Sequence, residues 1–375
     1  MANYSLQQLL QTHLPRFLKQ HSLPLYQHRA LQSIVRCRTA ALGGHVQSCE
    51  QGHINGVWYN SCKCRACPQC RAMPTQEWLS NTQSALIECS HHHIVFTLPH
   101  ELHDLWRFNR ALLSDFLFKA TMETLKLFSA DTRYLGATAG ILLAQHTWGR
   151  DLALHPHIHA LVTHGGLNAD NKWVTPKKKT LFPYEPVRQI FRGKFLDFCR
   201  KALNAENIVL PTGRDKTHIK TLLNRLGRSY WHVYFSERYD SAVGVAKYLA
   251  RYVKGGPINK GQLKASDSGG IIFSYTSHKT QKKEQLHLSV DAFLQRWLQH
   301  VPMPGKPLVR YGGLYSAAIR ARLNSARKVH GQATVSERVL LDWQAYMSQR
   351  NDLPVCDQCG CALRHGAVIK PRRVA

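Results

Sequence analysis

The spacing of apolar residues divides the chain into segments of distinct period. Leu6, Leu9, Leu10, Leu14 and Phe17 recur at amphipathic-helix spacing, and residues 1–36 read as two helices broken at His21-Ser22-Leu23-Pro24. Residues 37–75 are rich in Cys and Gly and show little hydrophobic periodicity, as expected of a small module held by metal rather than by a core. From about residue 85 the texture changes. Residues 93–99 and 139–146 are apolar runs of strand length, and residues 102–127 form one long amphipathic helical stretch. The turn-like Gly149-Arg150-Asp151 leads into a further strand at 155–164, so 139–146 and 155–164 are expected to form an antiparallel hairpin.

Downstream, residues 186–204 read as a helix and 230–235 as a strand. Residues 241–254 read as a helix ended by Gly255-Gly256-Pro257. Residues 261–270 read as a loop, and 271–275 and 286–290 alternate like paired strands. Residues 291–299 and 316–328 are helical in pattern, the latter strongly basic. Strands separated by helices, with at least one hairpin, fit an antiparallel α+β fold better than a doubly wound sheet.

Composition adds a partner. The chain has 375 residues, room for two or three domains, yet 50 Lys+Arg stand against 23 Asp+Glu, a formal charge of +27. That surplus repels itself unless a polyanion is near, so nucleic acid is the expected partner; a ribosome- or membrane-surface protein is the blander alternative. The basic residues are spread along the chain, which favours a long groove. There is no signal peptide and no apolar run of the roughly 18 residues needed to span a bilayer, so no membrane partner and a cytoplasmic location are expected.

Eleven cysteines in such a chain point to metal rather than disulfides. Cys49-x12-Cys62-x4-Cys67-x2-Cys70, with Cys64 and His53 nearby, has the ligand density of a structural Zn²⁺ site. Candidates outnumber the four ligands zinc needs, so Cys37 or His53 could replace Cys62 or serve a second ion. Cys356 and Cys359, with Cys361 or His365, form half or all of another site. Cys89 and Cys199 stand alone as small buried hydrophobes. Lys63, Arg65 and Arg71 interleave the ligands, as in small zinc modules that hold DNA.

Two further motifs carry chemistry. In His155-Pro156-His157-Ile158-His159, residues two apart on a strand share a face, so His157 and His159 can bind one cation side by side. The hairpin register puts His146 roughly opposite His157 as a third ligand. Imidazoles suit Mn²⁺ or Zn²⁺, and Mg²⁺ when phosphate oxygens complete the shell. The competing reading is a chance pattern in a chain with 22 histidines. In Tyr248-Leu249-Ala250-Arg251-Tyr252 the tyrosines share a helix face, with Arg251 and Lys254 on the cationic side. Core packing is the competing reading. As nucleophiles, the phenols would attack a phosphodiester, leaving a 5′-phosphotyrosine and a free 3′-hydroxyl.

In these motifs the chain resembles rolling-circle insertion-sequence transposases of the HUH (His-hydrophobic-His), two-tyrosine type. Cys37-Arg38-Thr39-Ala40-Ala41-Leu42-Gly43-Gly44-His45-Val46, Tyr59-Asn60-Ser61-Cys62 and Cys67-Pro68-Gln69-Cys70 are similar to that family's zinc-binding region. Val95-Phe96-Thr97-Leu98-Pro99-His100-Glu101-Leu102 is similar to its first core strand. His146-Thr147-Trp148-Gly149 with the His155–His159 run is similar to its metal motif, and Tyr248–Tyr252 to its nucleophile motif. Val309-Arg310-Tyr311-Gly312-Gly313-Leu314-Tyr315 is similar to the segment that follows.

The resemblance implies an HUH-endonuclease palm, a central antiparallel sheet with flanking helices, preceded by a zinc module. It implies Mg²⁺- or Mn²⁺-dependent nicking of single-stranded DNA at transposon ends and target, by a bacterial protein working at the nucleoid. Arg310 then joins Lys63, Arg65, Arg251 and Lys254 as a DNA contact. The expected division is a helical segment 1–36, a zinc-binding domain 37–80, a catalytic domain 85–300 and a basic C-terminal region 301–375. One departure stands out: where the family has a cysteine three residues after Cys49, this chain has Gly52 followed by His53. That leaves the zinc ligand set open between His53 and Cys64. A replication initiator or relaxase with the same site, and a non-catalytic zinc-dependent nucleic-acid-binding protein, are the alternatives.

Overall fold

The computed structural model describes residues 4–176, 178, 180–240, 244, 256–259, 261–266, 269–277, 280–338 and 340–372. Helix α1 (Leu6–Gln20) starts at Ser5, whose hydroxyl accepts from the Gln8 amide while the Gln8 side chain accepts from the Ser5 N–H, a capping box. Helix α2 (Leu25–Arg36) follows the break at Pro24. Strands β1 (Gly44–Ser48) and β2 (Ile54–Tyr59) then form an antiparallel ribbon, and helix α3 (Ala72–Ala85) leads away from it. Strand β12 (Arg364–Ile369), from the far end of the described chain, pairs with the free edge of β1.

The central sheet contains β3 (His91–Thr97), β4 (Thr138–Trp148), β5 (Leu154–Leu167), β6 (Trp173–Val174), β7 (Val233–Tyr239) and β11 (Val309–Gly313). Its order is β11-β4-β5-β3-β7, with β6 on β5, and every pairing is antiparallel. Alternation gives the sheet two different faces. Ile94, Phe96, Ile141, Leu143, Ile158 and Ala160 turn to the main core shared with helices α5 (Arg110–Ala130) and α6 (Tyr184–Asn204). Leu142, Ala144 and Leu161 turn the other way, against Leu86, Tyr315 and Leu323. The hairpin expected from the sequence is present, with His146 opposite His157.

The single helix expected over 102–127 is instead two, α4 (His103–Phe108) and α5, divided at Asn109. The Asn109 side chain donates to the Leu105 and Val209 carbonyls and accepts from the Val209 amide, contacts that fix the break from outside the helix.

A second core joins α1 and α2 to a small antiparallel sheet of order β10-β9-β8 and to the helix Val290–Leu298. Its strands are β8 (Leu263–Ala265), β9 (Ile271–Thr276) and β10 (Lys283–Leu288). Leu286 faces Phe273 as the alternation requires. Residues 261–270, expected as loop, contain β8, because Leu263 pairs with Phe273. Val290, expected at a strand end, opens a helix capped by the Ser289 hydroxyl. The expected helix 241–254 falls outside the described residues except at Gly244. Among the described residues no helix is long and apolar enough to cross a membrane.

Candidate functional site

His146, His157 and His159 lie on the sheet face turned away from α5 and α6, and all three are buried. Direct cross-strand pairing brings His146 to His157, and His159 follows on the same face. The three candidate ligand nitrogens lie within 4.8 Å of one another. His157 Nε2 is 3.0 Å from His159 Nε2. The other nitrogen of each ring points outward: His157 Nδ1 donates to the His155 carbonyl at 2.6 Å, and His159 Nδ1 is 2.9 Å from Nε2 of His93 on β3. These outer contacts fix the ring orientation and leave Nε2 inward, the arrangement metal-binding histidines use.

Burial holds His157 and His159 well below the ordinary histidine range, so both are neutral, the form a cation needs. Burial likewise brings His93 down to about 4, so its ring is neutral and Nε2 can accept a hydrogen bond from the Nδ1–H of His159. The 3.0 Å separation lets two neutral imidazoles share one divalent cation. His155 is exposed and stands outside the cluster. The hairpin end is braced by buried His300, with Nδ1 at 3.1 Å from the Thr147 hydroxyl and Nε2 donating to the Leu152 carbonyl at 3.0 Å. Trp148 stacks on His146 with centroids 4.6 Å apart.

Tyr248, Tyr252, Arg251 and Lys254 lie outside the described residues. The chain just beyond them is firmly seated. Buried Ile258 accepts from Arg71 Nη2 at 2.8 Å, and a Cβ on Gly256 would fall 1.9 Å from Arg71 Nη1. Lys63 and Arg65 are exposed, and Arg65 donates to the Lys306 carbonyl. Arg310 is tied to Asp115 and lies 4.3 Å over the Phe118 ring, bracing β11 against α5.

The cysteines form two four-membered groups that differ from the grouping by spacing. Cys37, Cys62, Cys67 and Cys70 converge, with Sγ–Sγ distances of 3.3 Å for Cys37–Cys70, 3.6 Å for Cys62–Cys70 and 3.7 Å for Cys67–Cys37. Cys49 is not among them. It stands with His53, Cys356 and Cys359, at 3.5 Å from His53 Nδ1 and 3.6 Å from Cys359 Sγ, and His53 Nδ1 is 3.6 Å from Cys356 Sγ. These separations approach the ~3.8 Å edge of a tetrahedron with Zn–S bonds of ~2.3 Å.

The reason is the β1–β2 ribbon. Five residues of β1 carry the chain ~17 Å from Cys37 before Cys49, and β2 returns it to Cys62. Pairing of Ser48 with Arg364 brings the C-terminal cysteines to the turn end. His53, not Cys64, therefore stands where the missing cysteine left a question. Cys361 and His365 are outside both groups, and His365 stacks on His45 instead. Cys199 is buried and Cys89 partly so.

Two family models match this chain. One, described as "Transposase zinc-binding domain", covers residues 9–98, and the other, described as "Putative transposase", covers residues 140–322. The chain is 33% identical over 298 residues to "Putative transposase y4qJ" of Sinorhizobium fredii (strain NBRC 101917 / NGR234), covering 78% of this chain and 75% of that one. It is 32% identical over 289 residues to "Transposase for insertion sequence element IS801" of Pseudomonas savastanoi pv. phaseolicola, covering 75% and 68% respectively. No solved structure matches. The family models and relatives make this chain a transposase, an enzyme that cleaves and transfers DNA. More particularly, the chain belongs to the IS91 family of insertion-sequence transposases and carries its N-terminal zinc-binding domain.

Proposed function

We propose that this transposase acts by the HUH, rolling-circle scheme: tyrosine attack on single-stranded DNA at a histidine-held metal. The observation that carries the reading is the convergence of His146, His157 and His159 on one buried sheet face. The antiparallel sheet with helices on its opposite face is the architecture an HUH palm requires. His146, His157 and His159 would hold Mg²⁺ or Mn²⁺, which when bound supplies Lewis-acid polarisation of the scissile phosphate. His93 and the His155 carbonyl keep two of those rings aimed inward.

Tyr248 and Tyr252 are the nucleophiles in this reading. The hydroxyl oxygen bonds to phosphorus as its proton leaves, the P–O3′ bond breaks, and the 3′-oxygen takes up a proton. The ester energy is kept in a 5′-phosphotyrosine that a 3′-hydroxyl can later reverse. A phenol of pKa near 10 is roughly 4 kcal/mol from its anion at neutral pH, a gap that Arg251 and Lys254 would narrow.

Two structural Zn²⁺ ions complete the assignment, one on Cys37, Cys62, Cys67 and Cys70, the other on Cys49, His53, Cys356 and Cys359. Lys63 and Arg65 serve as DNA contacts beside the first ion, whereas Arg310 acts as an internal brace. The segments 1–36, 37–80, 85–300 and 301–375 interlock rather than stand apart: β11 joins the central sheet, residues 263–298 share a core with α1 and α2, and β12 returns to the zinc-binding region by pairing with β1. The working location is the bacterial nucleoid.

The test is mass spectrometry of a trapped adduct between the protein and single-stranded DNA from the element's ends, with Mg²⁺ or Mn²⁺. A phosphotyrosyl peptide at Tyr248 or Tyr252 is expected. Binding without an adduct, or an adduct elsewhere, overturns the reading.

A further inference from the structure

We infer that the cavity between the zinc-binding region and the β11 edge of the sheet is a base-binding subsite. It would take unpaired nucleotides of a single DNA strand next to the histidine centre, and it rests on the strand-cleavage reading above. The cavity holds about 670 Å³, within the ~300–1,000 Å³ of small-ligand sites and far too small for a duplex. Three aromatic side chains line it: Trp78 on α3, Trp148 at the end of β4 and Tyr311 on β11. Trp78 Nε1 donates to the Tyr311 hydroxyl at 3.0 Å, so two of those rings are set before any ligand arrives. Trp148 stacks on His146, which places the cavity wall one ring from the histidine centre. Pro257, just past the residues that carry the tyrosines, closes another side.

The charge is one-sided. Among the described lining residues are Lys63, Arg65, Arg71, Arg320 and Arg338, with no Asp or Glu. Arg71 is spent on the Ile258 carbonyl, Arg65 on the Lys306 carbonyl and Arg338 on Glu77, leaving the exposed Lys63 and Arg320 as the cationic rim. Aromatic faces inside and cations at the mouth are what single-stranded nucleic acid requires: bases stack, phosphates stay outside, and no particular sequence is demanded. A base stacked between its neighbours in a duplex has no free face to offer, so the chemistry selects an unstacked strand.

The test uses the full chain and a short oligothymidylate carrying one 5-iodouracil. Irradiation should cross-link it to Trp78, Trp148 or Tyr311, mapped by peptide mass spectrometry. Trp78→Ala should weaken oligothymidylate binding roughly tenfold by fluorescence anisotropy, with Trp78→Phe restoring most of it. Duplex of the same length should bind both forms alike. Arg320→Ala, an exposed change that spares the fold, should weaken binding and lower the slope of log affinity against log salt by about one. Cross-links mapping elsewhere, or single-strand affinity unmoved by both Trp78→Ala and Arg320→Ala, overturn the subsite. A tyrosine adduct accompanied by cross-links elsewhere would sink the subsite and spare strand cleavage. Cross-links in the cavity without any adduct would do the reverse.

Discussion

The guanidinium of Arg71 occupies the space a side chain at Gly256 would need. Its Nη1 is 1.9 Å from where that Cβ would lie, and its Nη2 is held by the Ile258 carbonyl at 2.8 Å. Arg71 follows Cys70 directly, and Gly256 directly follows residues 245–255, where both tyrosines fall. One contact thus ties a thiol of the zinc cluster to the end of the proposed nucleophile segment.

Gly256→Ala should therefore lower stability by about 1–3 kcal/mol, since an enclosed, hydrogen-bonded guanidinium has to give way. Zinc content should stay the same while adduct formation falls. Adding Arg71→Ala should relieve the clash, so the double variant is more stable than the sum of the two single changes allows. Thermal melts of the four proteins check this; strict additivity would remove the contact from the account.

Zinc content is the next check. With Cys37, Cys62, Cys67 and Cys70 in one group and Cys49, His53, Cys356 and Cys359 in the other, two ions per chain are expected by elemental analysis. Cys359→Ala should remove one, and limited proteolysis should then cut the C-terminal segment near β12 first, because the paired edge loses its anchor. Cys67→Ala should remove the other and lower the melting temperature more, since Cys67 is buried in the second core with α1 and α2. A single ion in the wild-type chain would contradict the split.

What the sequence makes legible is local. The parity of His157 and His159 follows from two-residue alternation, and His146 from a tight hairpin whose register a short turn fixes. His93 is not legible in the same way. Its contact with His159 depends on β3 pairing with β5 across more than sixty residues, and only the run His91-His92-His93 hints at it. The zinc grouping is similarly remote: spacing alone suggests Cys49 with Cys62, whereas the length of β1 separates Cys37 from Cys49, and β12 supplies the missing thiols. Asn109 breaks a helix whose local pattern is continuous because Val209, a hundred residues later, takes its side chain.

The His93 contact makes a quantitative prediction. Removing an outer partner of a metal-binding histidine commonly costs ~10–100-fold in metal affinity. His93→Leu should weaken Mn²⁺ binding by that factor in calorimetry while excess Mn²⁺ restores nicking. His157→Ala with His159→Ala should abolish nicking at any concentration and leave DNA binding largely intact, because phosphate contacts supply most of the affinity. Full nicking by that double variant would remove the histidine centre from the mechanism.

Acid stability follows from His300, which braces the hairpin end beside the centre without belonging to it. Burial brings its pKa down to about 4, against ~6.5 in an unfolded chain. Between those values the unfolded state takes up more protons than the folded one, so stability is complete above pH ~6.5 and declines as pH falls toward 4. A protonated ring would also lose the acceptor nitrogen that meets the Thr147 hydroxyl. His300→Gln keeps a donor for the Leu152 carbonyl and an acceptor for Thr147 but cannot titrate. It should melt slightly below wild type at neutral pH, yet lose less stability between pH 6.5 and 4.5. Melting curves across that range decide the matter: parallel declines in the two proteins would show that His300 does not contribute to the acid sensitivity.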